Sequence, residues 1–117
     1  MTPLLDQNVL AELEELSPED PKGFIRELFE SYQKRAVVEV QEIEIFCSQN
    51  DWVELAKRAH SLKSAANQIG ATKVGALGHE IETLIRSHAE LERLPELVKD
   101  LKEAYHSSEA LLLAYLG

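Results

Sequence analysis

Residues 17–51 read SPEDPKGFIRELFESYQKRAVVEVQEIEIFCSQND, and the periodicity of this stretch decides the fold class. Ile25, Phe29, Tyr32, Ala36, Val40, Ile43 and Cys47 recur at steps of three and four residues, which keeps them on one side of a 3.6-residue repeat. The spacing predicts one long helix with a buried seam, ending near Ser48. Two signals compete for its start. Ser17 before Pro18 and Asp20 before Pro21 are each a capping residue followed by a proline suited to a first helical turn.

The segments on either side follow the same rule. Upstream, Leu4 to Leu16 is predicted to be helical, with Val9, Leu10, Leu13 and Leu16 as a narrow apolar stripe on an acidic helix. Downstream, SQND closes the long helix, and Asp51 with Glu54 has capping-box spacing, Asp standing in for Ser or Thr. Trp52, Leu55, Ala59, Leu62, Ala66 and Ile69 then form a third seam that stops at Gly70. Thr72 is positioned to cap a fourth helix carrying Val74, Leu77, Ile81 and Leu84 inward. A fifth, from about Pro95, carries Leu97, Leu101, Ala104, Leu111 and Tyr115. No strand-like alternation of any length interrupts this pattern.

Short connections imply antiparallel neighbours. The expected fold is therefore all-α: an antiparallel up-and-down four-helix bundle built from the last four segments, with an additional N-terminal helix. No internal repeat, low-complexity segment or linker divides the chain, so residues 1–117 are expected to form a single domain. At 44% apolar residues such a chain can bury roughly two-thirds of its unfolded surface without a disulfide or metal. Cys47 is the sole cysteine and closes an apolar stretch without basic neighbours, which makes it a core hydrophobe rather than a reactive thiol.

A net charge of −9 argues against general nucleic-acid binding and against anionic membranes, both of which require clustered Lys and Arg. No stretch is apolar for long enough to cross a bilayer, and MTPLLDQNVLAELEEL carries acids where a secretory signal carries bases. A soluble, cytoplasmic protein is expected, and a lone cysteine agrees with a reducing compartment.

Bundle architecture alone says nothing about function. The third helix carries a second stripe, rotated about 100° from its buried seam and expected to meet solvent: Val53, Ala56, His60, Lys63, Ser64 and Asn67. Ala56 and Ser64, four residues either side of His60, are small, and Lys63 lies one turn away. Phosphoryl transfer requires an in-line nucleophile and positive charge near the equatorial oxygens, with little covalent help from the protein. A neutral imidazole offers one lone pair for attack, Lys63 can offset phosphoryl charge, and small flanking residues leave room for a partner.

The residues around this pair, AHSLKSAANQIGATKVGALGHEIE from Ala59 to Glu82, resemble the signature of the histidine-containing phosphotransfer family. His60, Leu62, Lys63, Ala65, Ala66, Gly70, Ala71, Ile81 and Glu82 fall at matching places, and a looser similarity extends upstream to Phe24. The resemblance implies that His60 is the phosphoacceptor of a phosphorelay intermediate and that Lys63 steadies the phosphate. Val53, Ala56, Ser64 and Asn67 would then border the docking surface. It implies receiver domains as partners, one in a hybrid sensor kinase and one in a response regulator, each holding its own magnesium; this chain would need no cofactor and act as a monomer. Ser64 stands where the family most often has Gly, which implies a narrower approach for the receiver.

Other readings compete. His79, His88 and His106 lack a Lys and small-residue setting, and no HExxH or Cys/His spacing points to a metal. Gly70, Gly75 and Gly78 are not followed by GK[ST], so no ATP site, and no enzyme of that kind, is expected. The rival from a different class is a helical adaptor that binds receivers or other signalling partners without carrying phosphate; the His60–Lys63 pair is what argues against it. An initial Met1 and a full set of helices favour a standalone protein.

Overall fold

The computed structural model describes residues 2–117, which form five α-helices and no strand. They are α1 (Gln7–Leu16), α2 (Pro21–Ser48), α3 (Trp52–Gln68), α4 (Thr72–Ser87) and α5 (Leu94–Leu116), the last entered through a short 3-10 turn at Leu91–Arg93. Each long helix forms because one apolar stripe repeats with the helical period. Each is buried because its neighbours carry matching stripes. α3 packs on α2 and α4, and α5 packs on α4 and α2, so four helices close around one core, while α1 lies against α2. At 28 residues α2 alone spans about 42 Å of a molecule 47 Å long.

The core contains the whole predicted α2 seam from Ile25 to Cys47, together with Leu55, Ala59, Leu62, Ala66 and Ile69 from the third. Fully buried leucines such as Leu55, Leu62 and Leu101 each contribute about 1.5–3 kcal/mol of burial free energy. Cys47 lies in this core as a free thiol, and burial pushes its pKa up, away from thiolate chemistry.

Local capping signals at α2 and α3 behave as expected with one exception, half of a capping box. Asp20, not Ser17, caps α2 by accepting from the Gly23 N–H at 3.1 Å, and Pro21 occupies the first turn. Asp51 accepts from Glu54 N–H at 3.3 Å, which is half of the predicted capping box. The other half is absent, because the Asp51 N–H donates to the Phe46 carbonyl and Glu54 pairs with Lys57 and Arg58. Gly70 ends α3 at φ +83, a left-handed conformation that costs a side chain dearly.

Four expectations are corrected. α1 begins at Gln7, capped by Asp6, rather than at Leu4. Pro3 to Asp6 instead strap the α3–α4 turn, with Thr72 Oγ1 donating to the Pro3 carbonyl and the Asp6 N–H to the Gly70 carbonyl. That tertiary contact also removes Thr72 from its predicted capping role; Ala71 is the N-cap and supplies no side-chain bond. Leu16, at the end of its stripe, is 71% exposed because α1 stops there and no neighbour covers it. In α5, Leu111 is exposed and Ser108 and Leu112 are buried in its place. A 3.6-residue helix rotates about 20° per heptad relative to a 3.5 repeat, which turns the position seven after Ala104 out of the core.

Candidate functional site

The exposed face of α3 and the adjoining edge of α4 meet over a close packing of backbone. A Cβ at Gly78 would lie 3.0 Å from the Ala59 carbonyl oxygen and 3.3 Å from Lys63 Cβ, so the absence of a side chain lets α4 lie against α3 at this level. One turn further along α4, Glu82 faces inward beside Ile81 and Ile85 and is 2% exposed. It reaches the edge of the outer face of α3 from below.

Three cationic or potentially cationic groups converge on its carboxylate. Lys63 Nζ donates to Oε1 at 2.8 Å, Arg86 Nη2 forms an ion pair with Oε2 at 2.6 Å, and His60 Nδ1 lies 2.8 Å from the same Oε2. Burial works to raise the Glu82 carboxyl, but the Lys63 hydrogen bond and charge, with His60 and Arg86, outweigh it and hold the group below its ordinary value. Glu82 is therefore a carboxylate at neutral pH and can only accept. Nδ1 of His60, facing an acceptor, carries its hydrogen toward Glu82, which leaves Nε2 as the ring nitrogen turned away from the carboxylate on a side chain that is 58% exposed.

The predicted site residues are distributed around this centre. Val53 is 66% exposed, Ser64 and Asn67 are exposed, and Ala56 is half-buried. Asn67 leans across α4, its amide occupying the space a Gly75 side chain would need. Lys63 departs from the predicted exposed stripe: its side chain is 22% exposed and turned toward α4 by Glu82. His79, His88 and His106 are exposed and take no part in this hydrogen-bond group; His106 lies against the Tyr105 ring. Among the described residues no group of three or more His, Cys, Asp or Glu could hold a metal ion.

Sequence reasoning assigned no role to Glu82 or Arg86, although Glu82 stands in the matched motif. The available signal was an acid between Ile81 and Ile85, inside a face that must be buried. Arg86, four residues on, is the helical neighbour such an acid requires.

Comparison with known proteins bears on this arrangement. A family model described as the Hpt domain matches residues 25–111. The chain belongs to the Hpt domain family. Its role is histidine phosphotransfer in phosphorelay signalling. Members of the family are carriers that interact with receiver domains rather than classical enzymes. The fold is similar to the crystal structure of histidine-containing phosphotransfer protein B (HptB) from Pseudomonas aeruginosa PAO1, with a TM-score of 0.78 and 22% sequence identity over 99% of this chain and 96% of that one. No match is found among curated proteins. Among the described residues no helix is long and apolar enough to cross a membrane.

Proposed function

We propose that His60 Nε2 is the atom through which this Hpt domain carries phosphate. The observation that supports it is the 2.8 Å contact of His60 Nδ1 with the buried Glu82 carboxylate, which selects the tautomer with a free lone pair on Nε2. That lone pair attacks the phosphorus of an aspartyl phosphate in a receiver domain. The P–O bond to the aspartate breaks and leaves a free carboxylate, a P–N bond forms, and the resulting imidazolium keeps its Nδ1 hydrogen on Glu82. Reversal toward a second receiver returns the imidazole to its starting state.

Lys63 Nζ is held 2.8 Å from Glu82 on the same side of α3 and steadies the phosphoryl oxygens by turning toward them. Arg86 stays on Glu82 Oε2 and keeps the carboxylate charged meanwhile. Val53, Ala56, Ser64 and Asn67 border the approach. Magnesium belongs to the receiver, and this chain holds no ATP site and no cofactor of its own.

The receivers are one in a hybrid sensor kinase and one in a response regulator, and the protein works as a cytoplasmic monomer. Residues 1–117 act as one domain, an antiparallel up-and-down four-helix bundle with α1 added; the ring of contacts from α2 through α3 and α4 to α5 supports that topology. The test is transfer of label from a phosphorylated receiver. The label should sit on His60, disappear in acid as a phosphoramidate does, and be absent from His60→Gln. Acid-stable label, or full labelling of that variant, would refute the assignment.

A further inference from the structure

One buried charge beside this site has no part in the transfer. Glu39 on α2 is 6% exposed and directly precedes Val40 of the core seam. Its Oε1 accepts from Arg35 Nε at 2.6 Å and from Ser61 Oγ at 3.2 Å, whereas Oε2 is buried and has no hydrogen-bond partner among the described residues. A buried carboxylate with an unpaired oxygen costs folding free energy that an apolar residue of similar volume would not. What the carboxylate provides is a fixed Arg35. The guanidinium is held through Nε by Glu39 and through Nη2 by Ser61 Oγ, while its side chain remains 55% exposed.

The placement of that cation gives it meaning. Ser61 follows His60 by one residue, a step of about 100° around α3, so Arg35 stands on the α2 side of the histidine while Lys63 and Arg86 stand on the α4 side. Val38, one turn along α2 from Arg35, is 50% exposed, so the α2 edge offers apolar surface as well. The chain carries a net charge of −9, so a partner that holds its magnesium with acidic side chains meets overall repulsion, and a fixed cation beside the site offsets it locally. A cation already held in position loses little rotamer freedom on binding.

We propose that Arg35 is a docking anchor that takes an acidic side chain of the receiver domain, with Glu39 and Ser61 as its positioning residues. The docking surface therefore extends from α3 onto α2. This inference rests on His60 being the phosphoacceptor.

The test separates docking from chemistry with two phosphodonors: phosphoramidate, which needs no docking surface, and a phosphorylated receiver domain that labels the parent protein. Arg35→Ala should raise KM for the receiver about fivefold at low salt, with kcat and phosphoramidate labelling unchanged. Arg35→Lys should recover part of the loss, and added salt should raise KM less for Arg35→Ala than for the parent. Because Arg35→Ala leaves Glu39 buried without its cation, the double variant Arg35→Ala/Glu39→Leu provides a second route with no unpaired buried charge, and the same rise in KM is expected. An unchanged KM in the double variant, with phosphoramidate labelling intact, overturns the anchor and leaves the His60 reading standing. Equal slowing with both donors also overturns it, since Arg35 would then act on the chemical step or the fold. Failure of the parent to take an acid-labile label from phosphoramidate overturns the reading of His60 and this inference with it.

Discussion

Replacing Glu82 by Gln keeps the shape of the side chain and removes the charge on which Lys63, Arg86 and His60 converge. The side chains of Lys63 and Glu82 are 22% and 3% exposed, which places their pair between two regimes. Exposed pairs contribute up to about 1 kcal/mol, whereas breaking a fully buried pair costs about 3–5 kcal/mol, so about 1–2 kcal/mol is expected here. Arg86 and His60 side chains are 71% and 58% exposed and can turn to water, adding only a few tenths of a kcal/mol each. The sum, about 2 kcal/mol, should lower the melting temperature by roughly 8 °C for a domain of this size. Its pH dependence has a definite sign. Because the folded-state pKa of Glu82 is held below its ordinary value, the stabilisation is fully present above the unfolded carboxyl value of about 4.3 and is lost as pH falls through the folded value. Urea unfolding of parent and Glu82→Gln between pH 7 and pH 3 should therefore show a stability difference that narrows toward the acid end. A difference that stays constant over that range would show that the Glu82 charge does not hold this cluster together.

Lys63→Ala should shorten the phosphohistidine lifetime and also cost about 1 kcal/mol of stability, since Lys63 pairs with Glu82 rather than standing in water; lifetime is read by label decay and stability by thermal melt. Ser64→Gln places bulk one turn after His60 and should cut receiver-to-protein transfer sharply with little change in melting, because transfer needs reacting atoms held about 3–3.5 Å apart. Ser64→Gly should preserve transfer at a stability cost of up to about 1 kcal/mol, and full-rate transfer by Ser64→Gln would show that the receiver does not approach across this flank. Gly78→Ala drives a Cβ to 3.0 Å from the Ala59 backbone oxygen, so overpacking of about 1–3 kcal/mol should exceed the helix-propensity gain of about 1 kcal/mol and weaken the Glu82–His60 contact. Gly75→Ala meets the movable Asn67 amide first and should leave stability equal or higher; His60 tautomer shifts by nitrogen NMR, beside melts, distinguish the two.

Much of the fold was legible in the chain because helical periodicity is a property of neighbours three and four residues apart. The α2 seam from Ile25 to Cys47, the stop at Gly70 and the Asp51 cap all depend on residues within a turn or so of each other, whereas the choice of Asp20 over Ser17 as the α2 cap was open in the sequence. His60 and Lys63 stood out as candidates, on one helix face and in a recognisable motif, but the pairing of Lys63 with Glu82 was not legible there. Failures came where another segment intervened. Thr72 bonds to Pro3, and Leu16 has no neighbour to cover it. Glu82 illustrates the division most clearly. Its sequence position puts an acid on an inward face with Arg86 one turn away, but two of its three partners lie 22 and 19 residues away on α3. Whether such an acid is a flaw, a structural pair or the group that sets a histidine tautomer depends on which side chains lie opposite. The glycine at 78 lets α4 approach α3 closely enough to decide it. Arg35 follows the same logic, since its fixed position beside His60 exists only because Ser61 and Glu39 meet across two helices. Periodicity along the chain determines which faces are buried, while exposure, protonation and pairing are set by distances between helices that no local pattern encodes.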